Sequence, residues 1–350
     1  MDNISFLKQE DDDEEDIVEE ELPDEDQFGR TRYLQACQEM RLSPVSQVLK
    51  FLEGEEMHVL HYGIGLRGTQ ALCSALRVNQ NLAVLRLTDN GIPDEGVKEL
   101  AGVLLCSASI TELDISGNRV GVNGCKALVE VLQSRASILK VLGMSNMKLS
   151  DREGSIIAAG LENNTALRSL DLSRNDLTEK TTSILGPVLG ATLGLQELNL
   201  GWNKLRSRGA SALSEGLRPN LQLQVLGLAW CGLQDKGASV LSDALRSNRS
   251  LVDLDLSGNL IGPAGSRALG QGLAGCTTLA AVTLDNNDMR EEGGLAVLQA
   301  LEQNKGMVLC KMDNCNVPEK LRIAVEALLE PRRRLREKIA EMLHKGIKVE

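Results

Sequence analysis

An apolar residue recurs along this chain at Ile92, Val120, Leu149, Leu177, Leu205, Leu233, Ile261, Met289 and Val317. Each step is 28 residues except the 29 from Val120 to Leu149. Within the first full unit Leu82, Leu85, Leu87 and Asn90 lead up to Ile92, the pattern L-x-x-L-x-L-x-x-N-x-L. A period this strict admits one supersecondary unit stacked on copies of itself, because each unit buries its apolar side only against its neighbours. The 350 residues are therefore expected to form one elongated domain rather than two or three globular ones.

The alternation of Leu85 and Leu87 predicts a short strand with one buried face, and Asn90 marks the turn that leaves it. Four residues after the closing apolar position comes Gly, then apolar residues at eight and twelve, as in Gly96, Leu100, Leu104 and Gly237, Leu241, Leu245. Spacings of four predict a helix. Helices are wider than strands, so the expected fold is an α/β solenoid, a horseshoe with parallel strands on the concave face and helices on the convex face. The Asn column reads Asn90, Asn118, Met147, Asn175, Asn203, Cys231, Asn259, Asn287, Cys315. Its amides would satisfy backbone groups of the turn and of the adjacent unit. Met147 falls in the 29-residue unit, and the expectation is an irregular loop over Met144 to Leu149 in which Asn146 shifts by one into the column.

The ends differ from the middle. Thirteen acidic residues and no Lys or Arg lie between Glu10 and Asp26, so removing them from the formal charge of −11 leaves +2. Residues 1–27 are expected to be a disordered acidic tail, solvated or docking a basic partner. Residues 28–56 read as a helical cap broken at Pro44, residues 57–329 as a solenoid of about ten units with Tyr62 in the first Asn position, and residues 330–350 as a basic helix set off by Pro331. Within it the run RRRLREK reads as part of an ordinary amphipathic helix rather than an import signal, with the acidic tail folding over it as an autoinhibitory alternative.

No stretch approaches the ~20 apolar residues of a membrane span and the N-terminus is no signal peptide, so a cytoplasmic protein without membrane insertion is expected. The eight Cys lack C-x-x-C pairs and read as reduced packing residues. His58, His61 and His344 have no partners at ligand spacing, and no phosphate or dinucleotide loop occurs, so no catalytic residue, metal or cofactor is expected. A repeat body of near-zero net charge without an aromatic platform argues against nucleic acid.

The repeat length, the helical outer half and phrases such as LNLGWNKLRSRGASAL (198–213) and LDLSGNLIGPAGSRAL (254–269) resemble the ribonuclease-inhibitor-like class of leucine-rich repeats over roughly residues 57–329. With YLQACQEMRLSP in the cap, the closest likeness is to the leucine-rich-repeat-containing protein 74 group. The resemblance implies an intracellular protein without an active site. Because the Ran GTPase-activating protein shares the repeat type, it also implies the alternative of a small-GTPase regulator.

Function is expected where the units differ. On the concave side the slot before the third framework residue runs Arg86, Asp114, Gly143, Asp171, Asn199, Gly227, Asp255, Thr283, Lys311, and two residues earlier stand Glu112, Glu197 and Asp253. This predicts an acidic inner face suited to a basic partner. The slot before the Asn column contains the chain's two tryptophans, Trp202 and Trp230, in neighbouring units, with Arg174 one unit before them. Exposed Trp beside Arg is a common hot-spot composition. The expected protein-binding residues are Trp202, Trp230, Arg174, Asp114, Asp171, Asp255 and Glu197, on a monomeric, non-enzymatic scaffold for an unidentified protein partner.

Overall fold

The computed structural model describes residues 26–344; the expected acidic tail lies almost wholly outside them. Ten three-residue strands form one parallel sheet in chain order. They are β1 (Glu56–His58), β2 (Val84–Arg86), β3 (Glu112–Asp114), β4 (Val141–Gly143) and β5 (Ser169–Asp171), then β6 (Glu197–Asn199), β7 (Val225–Gly227), β8 (Asp253–Asp255), β9 (Ala281–Thr283) and β10 (Leu309–Lys311). Two helices precede β1, α1 (Arg30–Glu39) and α2 (Ser46–Phe51), on either side of Pro44. The others alternate with the strands: α3 (Gly65–Leu76), α4 (Asp94–Cys106), α5 (Val122–Gln133), α6 (Asp151–Gly160) and α7 (Glu179–Ala191), then α8 (Arg206–Leu217), α9 (Gln234–Ser247), α10 (Pro263–Gly275), α11 (Arg290–Gln303) and α12 (Glu319–His344).

Each strand buries its middle residue and turns its two outer residues to the concave side, so the sheet contributes one leucine-sized side chain per unit to the core. The core is a single continuous seam from Tyr33 to Leu329, between the strand layer and the helix layer. Register is unbroken: Leu85 faces Leu113, Leu113 faces Leu142 and Leu142 faces Leu170.

The extra residue of the long unit is not in the loop where it was expected. From β4 to Leu149 the spacing equals that from β3 to Val120, whereas α5 ends at Gln133 and β4 begins only at Val141. The insertion is therefore absorbed between helix and strand, where Ser134 and Ser137 both turn hydroxyls onto the local backbone. Met147 stays buried in the Asn column and Asn146 stays outside, because shifting by one would turn the following Leu149 out of the core.

Two polar ladders tie unit to unit. In the expected one, Asn118 donates to the carbonyls of Leu87 and Ile115 and accepts from the N–H groups of Asn90 and Ile92; Asn175, Asn203, Asn259 and Asn287 repeat the scheme. Cys231 and Cys315 donate their thiols to Leu200 and Leu284 instead. A second ladder follows the helices: Asn79, Asn164, Asn220, Asn248 and Asn304 each donate to the carbonyl that ends the preceding helix region, at Leu52, Leu132, Leu189, Leu217 and Leu273.

That second ladder explains the C-terminus. Arg332 stands 28 residues after Asn304, and its guanidinium donates to Leu301 at 3.0 Å and Asn304 at 2.8 Å, the carbonyls one more ladder Asn would have taken. Pro331 does not set off a separate helix, since α12 runs through it. Arg332 anchors the following turn to the solenoid, while Arg333 bridges Glu326 and Glu330 and Arg334 holds Glu330 across the proline. These three arginines are therefore engaged locally.

Candidate interaction site

In the slot before the Asn column, His61, Asp89, Gly117, Asn146, Arg174, Trp202, Trp230, Gly258, Asn286 and Asn314 all have positive φ, between 54° and 74°. From His61 to Asn286 each slot N–H donates to a carbonyl of the next unit, as Arg174 does to Gly201, Trp202 to Ala229 and Trp230 to Ser257; Asn314, in the last unit, has the same backbone. Gly, Asn and Asp tolerate this left-handed backbone, whereas a larger L-residue pays about 1–2 kcal/mol. Three consecutive units nevertheless carry Arg, Trp and Trp.

Those three side chains stack. The Trp202 and Trp230 rings lie 4.9 Å apart at 22°, and the Arg174 guanidinium sits 4.8 Å from the Trp202 ring centre. Neighbouring strands are ~4.8 Å apart, so equivalent side chains in adjacent units meet at a spacing that suits offset aromatic stacking. The next layer is backbone: a Cβ on Gly258 would strike the Trp230 indole. The faces of the rings are thus covered in the order Arg174, Trp202, Trp230, Gly258. Their edges are open, leaving Trp202 46% and Trp230 43% exposed.

Three residues before each member of this ridge lies a strand end of the concave face. By register Asp171, Asn199, Gly227 and Asp255 form one row across β5 to β8, and Ser169, Glu197, Val225 and Asp253 form the other. Together they line a shallow groove. At Gly227 the place of a Cβ is taken by the Asn199 amide, which leans over the glycine.

The charges are unevenly compensated along the face. At its N-terminal end Arg86 pairs with Glu56 at 3.1 Å and Glu112 at 3.7 Å. Asp114 has both oxygens occupied, one by Thr88 and one by the Ser116 N–H, so of the expected binding carboxylates it is the one bound up in the fold. Asp171 and Asp255 each commit one oxygen to the N–H two residues on, and Glu197 accepts from Ser169. Asp171, Glu197, Asp253 and Asp255 form no ion pair among the described residues. Burial, and then the neighbouring Asp255 charge, push the Asp253 carboxyl above its ordinary range.

The remaining chemistry is quiet. Seven of the eight cysteines are buried and Cys106 is exposed. Burial drives the Cys73, Cys125, Cys231 and Cys310 thiols up to about 12. His61 lies against Asp89 and His58 against Glu56 and Arg86. Among the described residues no three His, Cys, Asp or Glu side chains are grouped to hold a metal ion. No described helix is long and apolar enough to cross a membrane.

A sequence-family profile for the Leucine Rich repeat matches residues 78–101, 106–129, 163–180, 195–214, 220–242 and 247–270. Among solved structures, the leucine-rich repeat-containing protein LegL7 from Legionella pneumophila superposes with a TM-score of 0.54 at 20% identity, covering 83% of this chain and 96% of that one. Rad7, solved with Elc1 from yeast, gives a TM-score of 0.41 at 17% identity over 84% of this chain and 85% of that chain. The tropomodulin C-terminal domain of Caenorhabditis elegans gives 0.35 at 17% over 39% and 81%.

Proposed function

We propose that this chain, a leucine-rich repeat solenoid whose concave face no described segment covers, is a non-enzymatic scaffold that takes a protein partner on that face and the adjoining loops. A cytoplasmic setting and membership of the ribonuclease-inhibitor-like class are part of this reading; the helical units of 28 residues, one of them 29, support the class. The observation that carries it is the Arg174–Trp202–Trp230 stack, half exposed on backbone that Gly or Asn would occupy at lower cost. Stacking offsets much of that cost, and the ring edges left exposed are what a partner would meet.

The test is proximity labelling in cells with the wild-type chain and the Trp202→Ala/Trp230→Ala variant, followed by calorimetry with the strongest common neighbour. A set of neighbours lost in the variant, at an unchanged melting temperature, is the expected result. Identical neighbours in both would remove the reading. The same purified chain should leave GTP hydrolysis unchanged across a panel of small GTPases; acceleration of any member would make it a regulator instead.

A further inference from the structure

The acidic half of the concave face and the aromatic ridge occupy the same four units. Asp171, Glu197, Asp253 and Asp255 lie across β5 to β8, and Arg174, Trp202, Trp230 and Gly258 follow those strands three residues later. Toward the N-terminus the face is neutralised by Arg86, and toward the C-terminus it ends at Lys311. The middle presents carboxylates that form no ion pair among the described residues, with Lys311 near enough for its charge to be felt at Asp253. No described segment covers this part of the sheet, and Val225, 38% exposed, stands between Glu197 and Asp253 in its row.

We propose that the partner segment seated on this face is extended and rich in Lys or Arg, running across β5 to β8 with the Trp202–Trp230 ridge as one wall. The inference rests on the scaffold reading above and adds the chemistry of the occupant. Four strands at ~4.8 Å spacing are crossed by about five extended residues at ~3.3 Å each. Alternate cationic side chains of such a segment reach the two rows, with a stem lying along the groove beside Val225. The ridge is closed face to face, so it offers indole edges and the Arg174 head rather than a slot for a partner's ring. It serves as a rigid apolar border that excludes water from the charge pairs and strengthens them. A carboxylate held partly desolvated, as Asp253 is, gains most from a cation arriving beside it.

Both tryptophans of the chain sit at this site, which makes them a local donor for energy transfer. A dansyl-labelled (Lys-Gly)5 peptide is titrated into the full chain while Trp-to-dansyl transfer is recorded. The Asp171→Asn/Asp253→Asn/Asp255→Asn variant should bind roughly tenfold more weakly. The Glu95→Gln/Glu130→Gln/Glu215→Gln variant, with the same change in net charge on the helices α4, α5 and α8, should match wild type. Because the 13 acidic residues from Glu10 to Asp26 attract the same peptide, the difference between these two variants is the deciding quantity. Equal transfer in both, transfer from a (Glu-Gly)5 peptide as strong as from the lysine one, or no transfer at all overturns the proposal. If the lysine peptide fails while the double Trp variant still loses its cellular neighbours, the occupant's chemistry is wrong and the scaffold reading stands. If both fail, the site is wrong.

Discussion

At the scale of single residues, this protein keeps side chains that its backbone does not favour. Trp202 and Trp230 occupy left-handed positions at φ 59° and 57°. Stacking recovers about 0.5–1.5 kcal/mol against a similar backbone cost, so replacing both by Asn should leave unfolding free energy within about 1 kcal/mol of wild type. Chemical denaturation checks this, and a larger loss would make the pair structural. Asp253 is the electrostatic counterpart. Its carboxyl is raised by burial and by Asp255, so the folded state holds its proton more tightly than the unfolded chain, and stability falls as pH rises through that raised value. Asp253→Asn should therefore stabilise by about 0.5 kcal/mol at neutral pH, with the gain vanishing in acid where both states are protonated. Melts of the two proteins from acid to neutral pH measure it. Among the cysteines, thiols raised to about 12 by burial are not nucleophiles at neutral pH. Iodoacetamide at pH 7.5 should accordingly label Cys106 of the native chain and little else, as read by peptide mass spectrometry.

At the scale of elements, inter-unit hydrogen bonds set the stability. Burial alone would raise the Asp151 carboxyl, but the Thr178 and Thr181 hydroxyls and N–H groups outweigh it and hold it below the usual range. Asp94 and Asp235 likewise accept from the N–H groups of Gly121 and Gly262, so a carboxylate at one helix start caps the next. For a depressed carboxyl, the stabilisation is present above the unfolded value and is lost as pH falls through the folded one. Asp151→Ala should cost about 1–2 kcal/mol at pH 7, and the difference from wild type should disappear in strong acid. In the Asn column, Asn259 donates to Leu228 and Leu256 and accepts from Cys231 and Leu233. Removing it leaves several buried groups without partners, a loss of about 3 kcal/mol, whereas Cys231→Ala should cost clearly less because its thiol serves carbonyls only.

At the scale of the whole molecule, a solenoid contacts only its neighbours, so damage at an end should stay at that end. Arg332 closes the second ladder with donations to Leu301, Asn304 and Met307. Arg332→Ala should speed amide exchange in α11 and β10 while leaving β2 to β5 as slow as in wild type. Lys should rescue poorly, since one ammonium cannot reproduce the planar fork. Uniformly faster exchange would show instead that the chain unfolds as one cooperative body.

Much of this was legible in the 28-residue column order, because a repeated local pattern must bury the same face in every unit. The strands, the helices, the Asn column and the adjacency of Arg174, Trp202 and Trp230 follow from spacing alone. Even the left-handed slot was written in the sequence, as Asp89, Gly117, Asn146, Gly258, Asn286 and Asn314 around the two tryptophans. The second Asn ladder was also visible at 28-residue steps as Asn220, Asn248, Cys276 and Asn304, yet without a strand beside it nothing showed what it bonds. Tertiary structure decided what depends on distance between units: the insertion settles at Ser134 to Lys140 rather than beside Met147, Arg332 closes a ladder, and Asp114 has both oxygens occupied while Asp171 and Asp255 each use one among the described residues. A sequence column specifies which residue types recur. Which of their polar groups are already paired, and which remain for a partner, is set only when neighbouring units close to hydrogen-bonding distance.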